Sequence, residues 1–367
     1  MVAYKATQFK QLEYYSMNFL TEEKCDFLCK ENVGQILVLQ SRTTDNIYVV
    51  ANIHVIFNMN RGDIKFFQLA LLMRSIQEVQ QRLILEHRRN VYVLWGGDFN
   101  SAACSPLYNF IRYHEVAPMV RITPSSWSGQ YSVKNIHLKL KSHPSRKLQL
   151  IGEVYDDEKH GRYCFEENRP LFFEYMAKKL SDVQITFDKE NKKATFKYPE
   201  GYQCPTTPIA KEMPVSDLNP FDEDGENKKA LRPKLDQTRE ELEERKAKMQ
   251  AGFKNYPKLQ SAYGEDFIFR HSTNYVEVNK YNPGEKVYMT GEMAFSTMPV
   301  QNMYPYTVDF VWFGQDGPQQ DLQLQVEQVL GSPGIEHLDR CVFLPNSWHA
   351  SDHFPGVVDF ALCQSSK

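Results

Sequence analysis

The sequence predicts an α/β fold in which layers of β-sheet pack against helices. Two apolar segments rich in β-branched residues, at 47–57 and 91–95, have the composition of buried strands. Between them, apolar residues recur at helical spacing from residue 64 to about residue 86, and a shorter helical pattern follows at 107–113. The order strand, helix, strand, loop, helix is typical of sheet layers with helices packed outside them.

The long helical pattern begins directly after Arg61, Gly62 and Asp63, which interrupt the first strand segment. Asp63 is the predicted N-cap, because a short polar side chain at that position can accept a hydrogen bond from a first-turn N–H group. The apolar residues that follow at spacings of three and four predict one apolar face; they are Leu69, Leu72, Met73, Ile76, Val79 and Leu83.

The second strand segment ends in the polar sequence Gly97, Asp98, Phe99, Asn100. Ser105 followed by proline predicts an N-cap and a first-turn proline for the helix at 107–113. Further strands are predicted at 306–313 and 356–362, and no repeat of fixed period is visible.

Composition excludes several classes of protein. The formal net charge of −3 argues against nucleic-acid binding by bulk charge alone. No run approaches the roughly 18 apolar residues of a membrane span, and the first twenty residues lack the apolar block of a secretory signal. The seven cysteines show no C-x-x-C spacing, which favours reduced thiols. We therefore expect a cytoplasmic or nuclear protein without a membrane partner.

The region at 200–255 differs from the rest, because aromatic residues nearly vanish and an acidic run gives way to basic residues. We interpret it as a charged insertion in a single domain that spans 1–367. Its helical pattern at 234–249 has only a thin apolar line, so a linker-like segment or a solvated helix is expected, with a partner-binding coiled coil as the alternative.

Asp98 and Asn100 are the first candidates for chemistry. A carboxylate and an amide two residues apart at the end of a buried strand can point into one pocket, where the carboxylate orients a water and the amide donates to a phosphate oxygen. The alternative is an ordinary turn, since Gly, Asp and Asn are the usual turn residues.

Asp309, His353 and His54 are further candidates. Asp309 lies in an apolar strand segment and needs a partner, because an isolated buried charge is very costly; a histidine would serve, and so would an arginine or a backbone amide. His353 follows Asp352 ahead of the last strand and could act in acid–base chemistry. His54 is alone in its strand, where a histidine is more often structural.

These segments, in this order, resemble the endonuclease/exonuclease/phosphatase superfamily, and within it the Angel branch, which is related to the mRNA deadenylases and nocturnin. The matching segments run from about residue 3 to 362, with little match at 131–258; they are 51–54, 58–70, 97–101, 105–108, 128–130, 259–263, 307–310, 344–346 and 351–355. The resemblance implies a four-layer α/β sandwich, with two mixed β-sheets flanked by helices, and hydrolysis of phosphate esters with Mg²⁺, or alternatively Mn²⁺.

The resemblance also implies roles by position. Asp98 orients the nucleophilic water and contacts the metal, while Asn100 and His54 contact the scissile phosphate. His353 stabilises or protonates the phosphoryl transition state, with Asp309 holding its ring, and Asp352 lies at or near the metal. In-line displacement at phosphorus needs these elements: a positioned water, neutralised charge and a metal.

The implied substrate is RNA, at a single-stranded 3′ end, cleaved by a 3′–5′ exonuclease of the deadenylase type. Removal of a 2′,3′-cyclic phosphate from RNA is equally compatible. Trp127, Tyr131 and Trp348 are candidate base-stacking residues, although single aromatics are more often packing residues. Proteins of mRNA turnover are candidate partners through the insertion.

The superfamily carries two earlier motifs that this chain lacks: an Asn on a first strand and a Gln-Glu pair that supplies its main Mg²⁺ ligand. We therefore expect the sequence to be an N-terminally incomplete form of an active enzyme, without the N-terminal strands of the sandwich. The alternative is a natural short form that is catalytically weak or dead and acts as an RNA- or protein-binding module.

Overall fold

The computed structural model describes the greater part of the chain. The residues described are 2–20, 27–58, 61–102, 105–116, 119, 127–129, 139–141, 149–151, 169–202, 239–263, 275–277, 286–288, 308–318, 322–330, 351, 353 and 356–364.

The centre of the protein is an eight-stranded mixed sheet. In spatial order its strands are β7 (Gln184–Asp188), β8 (Lys193–Lys197), β1 (Phe9–Asn18), β2 (Val33–Ser41), β3 (Ile47–His54), β4 (Val91–Asp98), β12 (Asp309–Asp316) and β9 (Gln260–Ser261). β3 and β4 are parallel, and β12 runs antiparallel to β4. The carboxyl ends of β3 and β4 therefore lie at the same edge as the first residue of β12.

Helix α1 (Gly62–His87) connects β3 to β4 and covers one face of the sheet. Every residue from Gly62 to Met73 is buried, so this half of the helix is covered on all sides rather than on the one face that the sequence predicts. The outer side is covered because α2 (Pro106–Tyr113) and α3 (Arg169–Asp182) pack over it, with Phe66 contacting Phe110 and Phe173.

The predicted N-cap is confirmed for α2 and wrong for α1. Ser105 caps α2 as predicted, since its Oγ accepts the Tyr108 N–H at 3.1 Å. The prediction that Asp63 caps α1 is wrong, because the capping position is Arg61, which makes no side-chain cap bond. Asp63 lies inside the first turn and binds the Arg61 guanidinium at 2.8 Å.

A second sheet packs against the other face of the main sheet. It consists of β13 (Leu322–Val329) and antiparallel β14 (Val358–Gln364). Along β4, Val93 and Trp95 face the helices while Tyr92 and Leu94 face this second sheet, as the alternation of a strand requires. Helices, main sheet and second sheet form three successive layers, which confirms the predicted α/β class with two packed sheets.

The remaining described elements lie at the periphery of these layers. Helix α4 (Arg239–Gly252) packs its carboxyl end on the core through Met249, and the next turn adds Phe253. Two short antiparallel pairs are also present: β5 (Lys139–Lys141) with β6 (Gln149–Ile151), and β10 (Tyr275–Glu277) with β11 (Lys286–Tyr288). Most of the predicted insertion at 200–255, namely residues 203–238, lies outside the described residues.

A search of the described helices finds none that combines the length and the apolarity needed to cross a membrane.

Candidate active site

Three strand ends bring the predicted polar residues to one edge of the main sheet. The strand register pairs His54 of β3 with Asp98 of β4, and Asp98 with Asp309 of β12. His54 Nε2 lies 3.4 Å from Asp98 Oδ2, and 65% of the His54 side chain is exposed. An imidazole that is this exposed contributes little to core packing, so it is available to a ligand.

His353 reaches the same place from the second sheet, since it precedes β14 in the chain. Its Nδ1 lies 2.6 Å from Asp309 Oδ2, a short hydrogen bond of the kind that a charged partner makes. Its Nε2 lies 4.0 Å from Asp98 Oδ2. Both His353 and Asp309 are a little over one quarter exposed, so solvent reaches the pair. Asp98 Oδ2 thus lies between two imidazoles that come from different sheets.

Gly97 explains how β4 delivers Asp98 so close to β3. Its φ is +149°, and a Cβ built there would lie 2.1 Å from the Ile53 carbonyl oxygen. Only a residue without a side chain allows this approach. The glycine in the Gly-Asp-x-Asn sequence is therefore required by the backbone contact beside the site.

Asn100 is buried and has a φ of +43°, a left-handed conformation that asparagine tolerates. Its backbone N–H donates to Asp98 Oδ1 at 2.8 Å, which is the turn that the sequence offered as the alternative interpretation. Its side-chain amide donates to Val55 O at 2.9 Å and to Asp98 Oδ2 at 3.2 Å. The segment therefore forms a turn and also brings Asp98 and Asn100 together. Both side-chain N–H groups of Asn100 are used in hydrogen bonds within the protein.

The electrostatics of the site centre on Asp98. Burial raises the pKa of Asp98, and the nearby Asp309 carboxylate raises it further; the Asn100 N–H and the imidazoles of His353 and His54 lower it. The net direction is upward. Two carboxylates that share one partly buried pocket favour either a proton or a cation between them.

Asp98, Asp309 and His353 are also the one group in the described residues whose donor atoms could hold a metal ion, with all three atoms within 4.8 Å of one another. Two carboxylates suit a hard cation such as Mg²⁺, whereas an imidazole nitrogen suits it less well. The donor set therefore fits a divalent cation through its two aspartates. Asp352, the other predicted metal residue, lies outside the described residues.

Sequence reasoning did not single out Lys65 and Gln68 as part of this region. Both are fully buried in α1, and Lys65 Nζ lies 2.5 Å from the Asn100 carbonyl oxygen. Burial lowers the pKa of Lys65 to about 7, opposed by the Asp98 carboxylate. The sequence contained a pattern that could have identified them, because Lys65 and Gln68 are polar, three residues apart and surrounded by apolar residues of α1.

Of the three candidate stacking residues, the structure describes Trp127 and contradicts a stacking role for it. Trp127 is 1% exposed and donates its indole N–H to Met119 O at 3.0 Å, so it packs in the core and cannot stack on a base. Tyr131 and Trp348 lie outside the described residues.

Comparison with curated proteins finds relatives over about a third of the chain. Protein angel homolog 1 of Rattus norvegicus is 34% identical over 127 residues, which cover 31% of this chain and 18% of that protein. Protein angel homolog 2 of Bos taurus is 35% identical over 114 residues, 30% of this chain and 20% of its own length. Carbon catabolite repressor protein 4 homolog 3 of Arabidopsis thaliana is 32% identical over 118 residues, 32% of this chain and 24% of its own length. The matched part spans about a fifth of the length of these relatives.

Solved structures give weaker likenesses. ANGEL2, described as a 2′,3′-cyclic phosphatase, aligns with 97% of this chain and 68% of its own, at 18% identity and a TM-score of 0.49. The human nocturnin catalytic domain aligns with 29% of this chain and 36% of its own, at 14% identity and a TM-score of 0.25. No protein-family profile matches the chain.

Over about a third of its length the chain is similar to Angel homologues, which supports its resemblance to the endonuclease/exonuclease/phosphatase superfamily. The similarity is to the Angel branch, which confirms the resemblance found in the sequence.

Proposed function

We propose that the protein is a metal-dependent phosphoesterase that acts on RNA, with a 3′–5′ exonuclease activity of the deadenylase type. The observation that carries the proposal is the His353–Asp309 pair, joined at 2.6 Å, that faces Asp98 across 4.0 Å at the ends of three strands. The RNA substrate rests on the resemblance to the Angel branch and its deadenylase relatives.

The site residues have different roles in in-line displacement at phosphorus. Asp98 accepts a hydrogen bond from the attacking water and orients it. The Asp309 carboxylate fixes the proton on Nδ1 of His353, so the Nε2 side of the ring acts on the phosphoryl group by stabilising its charge or protonating the leaving oxygen. His54, exposed beside Asp98, contacts the phosphate.

Asn100 acts on the phosphate only by exchanging one of its present hydrogen bonds. Its two amide N–H groups donate to Val55 O and Asp98 Oδ2. Releasing Asp98 would leave the bond to Val55 in place and turn one N–H toward a phosphate oxygen. In the structure as it stands, Asn100 holds the Asp98 carboxylate.

Mg²⁺ is the proposed cation, with Mn²⁺ as a substitute, held by the carboxylates of Asp98 and Asp309 together with Asp352. A divalent cation supplies neutralisation of phosphate charge in such sites. The two carboxylates raise the local negative charge that a cation would relieve, which is consistent with the raised pKa of Asp98.

The Angel likeness favours a second substrate, the 2′,3′-cyclic phosphate at an RNA end. Angel homologues are among the curated relatives over the matched segment, and ANGEL2 is described as a 2′,3′-cyclic phosphatase. Both substrates would use the same side chains, so the assay must offer both.

The test is an assay of the purified protein with Mg²⁺ against oligoadenylate and against RNA that ends in a 2′,3′-cyclic phosphate. We expect cleavage of one of the two, and a loss of roughly 10²- to 10⁴-fold in kcat for Asp98→Ala and for His353→Ala. His87→Ala is the matched control, since His87 is an exposed histidine at the far end of α1, and it should keep wild-type activity.

Two results would contradict the proposal. Activity that survives both Asp98→Ala and His353→Ala would place the chemistry elsewhere. The absence of any metal-dependent cleavage of either RNA, with binding of RNA retained, would favour the alternative of a non-catalytic binding module.

A further inference from the structure

The first turns of α1 carry two polar side chains inside a tightly packed apolar environment. Lys65 and Gln68 are three residues apart, so they lie on the same side of the helix, and neither has any exposed surface. Burying such groups costs free energy unless they are hydrogen-bonded. Their partners therefore show what the two side chains hold in place.

Gln68 is hydrogen-bonded to the backbone that follows β3 and, through Asn32, to the last residue of β3. Its Oε1 accepts the Ile56 N–H at 3.1 Å, and its Nε2 donates to Asn32 Oδ1 at 3.1 Å. Asn32 in turn donates its amide to the His54 carbonyl oxygen at 3.1 Å. The backbone is thus fixed at His54 itself and two residues later, although the His54 imidazole is mostly exposed.

Lys65 holds the loop after β4 in the same way. Its ammonium group donates to the Asn100 carbonyl oxygen, two residues after Asp98. The two loops are also joined directly, because the Val55 N–H donates to Asp98 O at 3.0 Å and the Asn100 amide donates to Val55 O. One helix face therefore fixes both loops relative to each other.

The separation of His54 Nε2 from Asp98 Oδ2, 3.4 Å, depends on these loops. His54 and Asp98 are the last residues of their strands, so the regular ladder between β3 and β4 ends at them. Beyond that point the positions of the two side chains depend on what holds the following backbone, and α1 supplies those contacts.

We propose that Lys65 and Gln68, with Asn32 as the link to β3, are positioning residues that set the spacing of His54 and Asp98. Lys65 and Gln68 are fully buried, and all three residues act through the two loops. This inference rests on the proposed function for its effect on activity, but its geometric part can be measured without turnover.

Gln80 provides a matched control for Gln68 within the same helix. It is also a buried glutamine, 3% exposed, and it donates to a strand carbonyl oxygen, Val91 O, at 3.0 Å. Val91 is the first residue of β4, at the opposite edge of the sheet from Asp98. Loss of either glutamine removes a buried bond between helix and strand, but only Gln68 is connected to His54.

The kinetic test compares Gln68→Met, Asn32→Ala and the control Gln80→Met in the wild-type and His54→Ala backgrounds. In the wild-type background we expect the first two to lower kcat by about 10- to 100-fold with KM within about twofold, because outer contacts that orient site residues have effects of this size. In the His54→Ala background Gln68→Met should have little further effect, since residues that act through one another are not additive. Gln80→Met should change kcat by less than about twofold in both backgrounds.

The inference is overturned if Gln68→Met and Asn32→Ala leave kcat unchanged in an active enzyme. It is equally overturned if the effect of Gln68→Met is the same with and without His54. Thermal unfolding of each variant shows whether it is folded, and if Gln68→Met does not fold, the partly exposed Asn32→Ala decides the question.

An NMR measurement separates failure of this inference from failure of the proposed function. If the wild-type protein cleaves neither RNA, the proposed function fails, and the ring Cε1–Hε1 signal of His54 then tests positioning alone. We expect Gln68→Met and Asn32→Ala to shift or broaden the His54 signal while that of His87 stays in place, and Gln80→Met to move neither. A His54 signal that is the same in all variants would show that the helix contacts do not position this residue.

Discussion

The two ends of strand β4 carry polar groups of very different character. At its first residue, Val91 lies opposite Asp316, whose carboxylate accepts a hydrogen bond from Gln81 at 2.8 Å on the exposed surface. At its last residue, Asp98 lies opposite Asp309, another carboxylate, inside a partly buried pocket. The same pair of strands thus ends in one exposed, hydrogen-bonded acid on one side and in two facing acids on the other.

The difference favours the Asp98 end of the sheet as the proposed ligand site. Burial, and after it the facing Asp309 carboxylate, raises the pKa of Asp98, so this arrangement of acids does not serve stability. Groups whose protonation is disturbed in this way concentrate at functional sites. The repulsion between the two carboxylates at the Asp98 end is relieved when a proton or a cation binds between them or a substrate brings one. Asp316, in contrast, already accepts a hydrogen bond from a neutral amide.

The largest expected contrast comes from removing one charge at each end of β12. Asp309→Asn removes the acceptor that fixes the His353 ring, so kcat should fall by about 10³- to 10⁴-fold, as occurs when the acid partner of a catalytic histidine is changed to an amide. Asp316→Asn, at the other end of the strand, should keep kcat within about twofold. Steady-state cleavage of the RNA substrate measures both. Equal losses in the two variants would mean that the ends of the sheet do not differ in function.

A smaller contrast is expected between two adjacent glycines of β4. Gly97→Ala places a Cβ against the Ile53 carbonyl and forces a positive φ on alanine, so the free energy of unfolding should fall by about 2 to 4 kcal/mol. Gly96→Ala meets no atom closer than Phe310 O at 3.9 Å and should change the free energy of unfolding by less than about 1 kcal/mol. Urea unfolding followed by circular dichroism gives both values, and similar losses would show that the close approach of β3 and β4 is not a constraint.

The smallest contrast concerns the pH dependence of stability, because α1 places a titratable amine at one end of β4 and an amide that does not titrate at the other. The pKa of Lys65 is lowered to about 7 in the folded protein, while in the unfolded chain it is near 10.5. Between these values the unfolded chain holds the proton and the folded protein does not, so stability from this group rises with pH and the burial penalty is largest below about pH 7.

Lys65→Met should therefore flatten this dependence. From about pH 7.5 to about pH 9 the free energy of unfolding of the wild type should rise by about 1 to 2 kcal/mol relative to the methionine variant. Gln80→Met should shift stability by an amount that does not change with pH, since an amide does not titrate. Urea unfolding across this pH range is the measurement, and parallel curves for wild type and Lys65→Met would show that Lys65 does not titrate there.

Local patterns predicted the elements of this fold that carry the site. The strand at β3, the helix α1, the Ser105 cap of α2 and the strands β12 and β14 all follow from periodicity, β-branched composition and capping residues. The predicted end of β4 at residue 95 was three residues short, because two glycines follow and it is pairing with β3 and β12 that extends the strand to Asp98. The Asp63 cap was wrong because Arg61 competes for that carboxylate.

The candidate site was predictable as a set of residue types and not as a geometry. The positions of Asp98, Asp309, His54 and His353 were found from short motifs and from the order of those motifs along the chain. Their distances depend on the register of distant strands and on the contact of His353, which precedes β14 in the chain, with Asp309. Lys65 and Gln68 were missed because their importance lies in contacts with loops from other parts of the sequence.

The amino-acid sequence by itself determined the α/β class, the main elements and the residue types that carry the chemistry, since these follow from interactions between near neighbours in the chain. Tertiary structure alone decided that two carboxylates face each other at one end of β4, that an imidazole from the second sheet joins them, and that a buried lysine lies beneath them. Contacts of that kind connect residues that are far apart in the chain, and their energies depend on burial and register, which no local pattern encodes.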